Sequence, residues 1–160
     1  MKIEGLPKKK DSHRKVAERM VEDLVLFSGW PDAKDKTPLV DDLVSALDSA
    51  RHHSYDGYHI AKELDEFYWD ITADMVSELD FSDRFIEEEL TKLITAWVAE
   101  TGYKYPYAVG DSVSYKWSGK KTIGNIHEVR MNGTVLITIP DETGCAVIHW
   151  EEVEPETATT

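Results

Sequence analysis

A chain of 160 residues, 41% apolar and 10% aromatic, is long enough for one ordinary domain or two small ones and too apolar to stay disordered. Its 18 Lys and Arg stand against 31 Asp and Glu, a net charge of −13, which disfavours direct binding to phosphate backbones. No run of about 18 apolar residues predicts a membrane span, MKIEGLPKKK lacks the apolar stretch of a secretory signal, and the lone Cys145 permits no intrachain disulfide, so the cytoplasm is the expected compartment.

Charge divides the chain. Residues 1–20 carry 7 basic and 3 acidic groups (+4), 21–103 carry 6 and 20 (−14), and 104–160 carry 5 and 8 (−3). The expected organisation is a flexible basic arm at 1–12 containing Lys8, Lys9 and Lys10, an acidic helical domain at 13–103, a small β-barrel at 104–155 and a flexible tail at 156–160.

Four helices are predicted from apolar spacing. Val16, Met20, Leu24 and Phe27 recur at helical steps after the possible caps Asp11 and Ser12, and the pattern stops at Gly29-Trp30-Pro31. Thr37 and Pro38 read as an N-cap and first-turn pair, because proline lacks a donor that the first turn leaves unpaired. Leu39, Leu43, Leu47 and Ala50 then form one face, with Arg51, His52 and His53 at the end where positive charge is favoured. A third helix starting near Ser54 or Asp56 turns Ile60, Leu64, Phe67, Ile71 and Met75 inward. The fourth starts at Ser82, buries Ile86, Leu90, Leu93 and Trp97, and ends at Gly102.

From Tyr107 the period falls to two. Val113, Tyr115 and Trp117 share one face of a half-buried strand, with Ser114 and Lys116 on the other. KTIGNIHEV gives a second strand with Gly124 at a bulge or tight bend, and Asn132-Gly133 suits a type I′ hairpin. TVLITI and CAVIHW follow, separated by a turn from Pro140 to Gly144, and a short last strand passes through Val153.

Five short strands opening on Val109, Gly110, Asp111 and Val113, carrying Gly124 and Ile126, and closing on Trp150 to Pro155 resemble an SH3-like small barrel of the Tudor, KOW or integrase-C-terminal kind. The resemblance covers residues 107–155 and implies peptide or nucleic-acid binding rather than catalysis. The fold class expected for the whole chain is α+β, a four-helix region followed by a five-stranded SH3-like barrel. Tyr103, Tyr105 and Tyr107 are expected to cement the barrel onto the helices.

On a continuous third helix, Glu63, Glu66, Asp70 and Asp74 fall within about 80° of one another beside the apolar stripe. Like charges so spaced cost roughly 0.2–0.5 kcal/mol per pair on an exposed helix unless something positive meets them. Asp80, Asp83, Glu87, Glu88 and Glu89 extend the acid beyond the next turn. A solvated face is the plain reading; docking on a basic surface is the functional one. Glu63-x-x-Glu66 and Asp80-x-x-Asp83 also resemble the paired carboxylates with which helical MazG-like nucleotide pyrophosphohydrolases hold Mg²⁺, although Asp80 and Asp83 straddle the break at Ser82.

His52, His53, Asp56 and His59 read as cap and surface residues, since no metal-ligand spacing links them. His59-Ile60-Ala61-Lys62 has the H-x-x-K spacing of histidine-phosphotransfer bundles, without the small residues that follow there. Cys145 falls mid-strand in an apolar run, which favours an inert thiol, and no nucleophile elbow or phosphate loop is present. An aromatic cage from Tyr115 and Trp117 conflicts with their place on the core face.

The resulting expectation is a non-enzymatic acidic protein without cofactor or metal. Glu63, Glu66, Asp70, Asp74, Glu87 and Glu88 would dock on the basic surface of a nucleic-acid-handling protein. Length and acidity resemble small phage-type inhibitors, including DNA mimics and anti-CRISPR proteins, in which carboxylates take positions that phosphates would occupy. Two competing expectations are a Mg²⁺-dependent nucleotide hydrolase using the same acids and a peptide-binding adaptor using the barrel, for which Lys120 and Lys121 matter most.

Overall fold

A computed structural model describes residues 2–28, 35–139 and 144–156. The class is α+β: helices α1 (Lys9–Ser28), α2 (Thr37–Ala50), α3 (Gly57–Glu66), α4 (Ala73–Leu79) and α5 (Ser82–Thr101) precede strands β1 (Ser112–Trp117), β2 (Lys120–Arg130), β3 (Thr134–Thr138), β4 (Cys145–His149) and β5 (Glu154–Pro155). Two compact units result, Lys8–Leu90 and a second combining Met1–Pro7 with Thr91–Thr160, so the division falls inside α5 rather than at 103.

The helical unit buries Val16, Met20 and Leu24 of α1, Leu43 and Leu47 of α2, Ile60 and Leu64 of α3, Met75 and Leu79 of α4, and Ile86 of α5 in one cluster. The spacing predicted all of these positions except Leu79, but Phe27 is exposed and Leu39 only partly covered. Pro38 is in the first turn of α2 as expected, while the backbone donor of Thr37 goes to Asp35 Oδ1 at 2.9 Å instead of Thr37 acting as cap. Ser82 is fully buried and donates to Met20 Sδ at 3.5 Å. The predicted stop at Gly29-Trp30-Pro31, the Pro140 turn and most of the tail lie outside the described residues.

The expected flexible arm is corrected. Residues 9–12 already belong to α1, Ser12 and His13 are buried, and Lys9 is ion-paired. Ile3 is buried in the strand unit, where its N–H donates to Glu151 Oε1 at 2.9 Å. An apolar residue among the lysines gives the segment something to bury.

The third predicted helix is two. α3 ends at Glu66, Tyr68 takes a left-handed φ of 66°, and Thr72 caps α4 by accepting from the Met75 N–H at 3.3 Å. No proline or glycine breaks the segment; Trp69 does. On one continuous helix it would point about 140° away from Leu64. Breaking the helix buries its ring at 2% exposure and lets Nε1 donate to Asp42 Oδ2 at 3.0 Å, leaving Phe67 exposed and Ile71 half-buried. The larger apolar surface wins.

The five strands form one antiparallel sheet in the order β4-β3-β2-β1-β5, with a one-turn 3-10 helix, Trp150–Glu152, before β5. Val113, Tyr115, Ile126, Val135, Ile137, Ile148, Trp150 and Val153 are buried, whereas Trp117, at the end of β1, is 37% exposed rather than inside. Gly124 permits close approach: a Cβ there would collide with the Thr138 carbonyl oxygen and lie 2.8 Å from Ile137 Cγ2, and the β-bulge falls instead between Ile126 and Glu128. The β2–β3 turn holds three residues, Met131 to Gly133, and only Gly133 has positive φ, so it is not type I′. Asn132 Oδ1 closes it by accepting from the Thr134 N–H at 3.2 Å and Oγ1 at 2.6 Å. Gly102 ends α5 with φ of 65°, as predicted. Tyr103 packs at a tilt against Trp97 and stacks on Trp150, and Tyr105 stacks on Trp150, joining the second half of α5 to the strands within their unit.

Candidate partner-binding surface

The acidic row lies in the helical unit, and the break after Glu66 reshapes it. Glu63 is half-buried near the end of α3, and Glu66 is the last residue of that helix. Asp70 is exposed in the connection, and Asp74 is exposed in the first turn of α4, where the helix dipole favours a carboxylate. The single helical stripe is therefore corrected to four carboxylates spread over a helix end, a connection and a second helix start. None of the four makes a side-chain hydrogen bond or ion pair among the described residues.

Glu87 and Glu88 differ. Lys9 Nζ meets Glu87 at 2.6 Å and Asp83 at 3.2 Å, and the two carboxylates raise the Lys9 pKa against the opposing effect of its burial, which is the largest single influence. Arg19 reaches Glu88 at 2.8 Å, Arg84 reaches it at 3.4 Å, and the Arg19 guanidinium lies 3.7 Å from the centre of the Phe85 ring. These acids already face the chain's own cations. The basic residues of the amino-terminal segment thus serve α5 as internal counter-charges.

What the break adds is aromatic. Phe67 and Tyr68 stand between Glu66 and Asp70 at 43% and 93% exposure. Spacing alone assigned Phe67 to the core and was silent on Tyr68. A signal was present in the run Phe67-Tyr68-Trp69, since three consecutive aromatics cannot all face one side of a helix.

Of the four carboxylates considered for Mg²⁺, Asp80 and Asp83 have other work. Asp80 Oδ1 accepts from the Gly57 N–H at 2.9 Å, and Asp83 faces Lys9. No group of three or more His, Cys, Asp or Glu side chains among the described residues is arranged to hold a metal ion. Asp56 caps α3, accepting from the His59 N–H at 3.1 Å, and hydrogen bonds from that residue hold its pKa below the usual carboxylate value. His53 and His59 stack with ring centres 4.1 Å apart. Cys145 opens β4 and is exposed, not buried mid-strand. Tyr115 is buried with its hydroxyl 3.4 Å from the Thr138 carbonyl oxygen, so no cage forms with the exposed Trp117.

Two polar features escaped the sequence. His13, 1% exposed, has Nδ1 2.6 Å from Asp48 Oδ1 and Nε2 3.0 Å from Tyr55 Oη. A carboxylate only accepts, so Nδ1 carries the proton and Nε2 accepts from the tyrosine hydroxyl. Burial pushes the His13 pKa down, with Asp48 opposing the shift. The helical step from Ser12 to Val16 marks His13 as near the core face, but its partners lie 35 and 42 residues away. The second feature is in the strand unit: a cleft of about 430 Å³ lined by Ser114, Lys116, Lys121, Glu151, Glu152 and Glu154, where the buried Ser114 hydroxyl has no partner. Such a hydroxyl costs about 1–3 kcal/mol.

No protein-family model matches the chain, and comparison with curated proteins and with solved structures gave no significant match. No described helix is long and apolar enough to cross a membrane.

Proposed function

We propose that this is a non-enzymatic acidic binding protein whose α3–α4 connection docks on an arginine-bearing basic surface of another protein. The observation that carries the reading is that Glu63, Glu66, Asp70 and Asp74 lack partners within the described chain while bracketing the exposed rings of Phe67 and Tyr68. A guanidinium is matched by both groups at once, pairing with carboxylates through its forked donors and stacking on aromatic faces. The nucleic-acid groove of a DNA- or RNA-handling protein is such a surface, and carboxylates there stand where phosphates would. An inhibitor that mimics nucleic acid, acting in the cytoplasm, is the biological form this takes. Glu87 and Glu88 leave the docking set, because Lys9, Arg19 and Arg84 occupy them.

The test compares two neutralised variants in capture from native extract, followed by direct titration with the captured protein. Glu63→Gln, Glu66→Gln, Asp70→Asn and Asp74→Asn together weaken binding at least about tenfold, the scale expected when several charge-assisted contacts of a few tenths to 1 kcal/mol are lost. Glu87→Gln with Glu88→Gln changes affinity little. Equal affinity of the fourfold variant and the parent contradicts the reading.

A specific observation also supports an SH3-like barrel in the second unit: the order β4-β3-β2-β1-β5 with a one-turn 3-10 helix before β5. Under that reading the barrel is an adaptor and the acidic connection is silent.

A further inference from the structure

We infer that the cleft on the strand unit is a binding site for a small zwitterion, a ligand of amino-acid size bearing one ammonium and one carboxylate. The register sets out its walls. Lys116 and Lys121 are directly opposed on β1 and β2, and Ser114, two residues earlier on the same face, is opposed by Ile123 on one side and Glu154 of β5 on the other. Glu151 and Glu152 reach the cleft from the 3-10 helix. One wall is therefore cationic and the other anionic.

Opposed lysines repel each other, and an anion between them removes the conflict. Three carboxylates across the cleft create the converse demand for a cation. The lining meets these demands only in part. Lys121 stands 3.8 Å from Glu154 with both side chains more than half exposed, a geometry of little worth in water, and Glu151 is occupied by the Ile3 N–H. Lys116 and Glu152 have no ion pair or hydrogen bond among the described residues, although they line one cleft and carry opposite charge.

The Ser114 hydroxyl is the independent sign of a missing partner. It is buried in a residue that lines the cleft and is 1% exposed, and it makes no hydrogen bond. A hydroxyl both donates and accepts and turns about a single bond, so it serves either end of the ligand. A carboxylate held by Lys116 and Ser114 with an ammonium at Glu152 satisfies all three, and about 430 Å³ accommodates a free amino acid or a dipeptide.

The experiment uses the full chain and a series of ω-amino acids from glycine to 6-aminohexanoate, which scans the spacing between the charges. Amide chemical shifts of Ser114, Glu152 and Glu154 are followed during titration, with sodium acetate and methylammonium chloride as single-charge controls. The expected result is saturable binding in the millimolar range by a subset of the series, at least about tenfold tighter than either control. Ser114→Ala, Lys116→Met and Glu152→Gln should each weaken it threefold or more, with the remaining spectrum unchanged. Overturning results are no saturation by any member up to about 50 mM, equal response to acetate or methylammonium alone, or undiminished binding by Ser114→Ala.

Discussion

His13 shows how one buried ring fixes local geometry and a pH response together. With Nδ1–H on Asp48 and Nε2 accepting from Tyr55, the network ties α1 to the end of α2 and to the left-handed turn at Tyr55. Protonation would give Nε2 a hydrogen that points at a tyrosine hydroxyl already donating to it. Because the folded pKa lies below the unfolded value near 6.5, the contribution is complete above about pH 6.5 and is lost as pH falls toward the folded pKa. Asp48 and Asp11 favour the charged ring, Arg51 opposes it, and burial dominates. Urea denaturation at pH 8.0 and 5.5 is expected to show a steeper loss of stability on acidification in the parent than in Tyr55→Phe/His13→Gln, whose pH slope should flatten. Tyr55→Phe alone should cost about 1 kcal/mol at pH 8.0. At Gly124 the expectation is harsher: the Cβ of Gly124→Ala meets the Thr138 carbonyl oxygen and Ile137, and thermal melts should show a loss of about 1–3 kcal/mol.

At the scale of elements, the α3–α4 connection decides whether the acids form a stripe or a bracket. Apolar spacing located α1, α2, α5 and the strands because each has a clear period, and it placed Leu64 and Met75 correctly inside. It failed between them because Phe67 and Ile71 continue the helical pattern, while the competing demand, burial of Trp69 against Asp42, is a tertiary contact. The same limit hid the pairing of Glu87 and Glu88 with Lys9 and Arg19, residues 69 to 78 positions away along the chain. Tyr68 holds a left-handed φ with its ring in solvent, a strained arrangement that nothing in the helical core requires of tyrosine. Tyr68→Gly should therefore leave stability unchanged or raise it by about 1 kcal/mol, while weakening partner binding. Trp69→Ala should cost about 3–5 kcal/mol in denaturation and remove the connection's shape altogether.

For the whole molecule, a charge of −13 leaves acid in excess after Lys9, Arg14 and Arg19 pair internally with Glu87, Asp41 and Glu88. Such a field speeds encounter with basic partners and is screened beyond about 8 Å at physiological salt. The strand unit carries mixed charge, and its cleft presents both signs to a ligand. Docking through the α3–α4 acids is tested by the salt dependence of the partner's dissociation constant, measured for the parent and for the variant neutralised at Glu63, Glu66, Asp70 and Asp74. Binding by the parent should weaken steeply with salt, and binding by the variant should be weaker with a nearly flat profile. Matching affinities and matching salt slopes for the two proteins would contradict it.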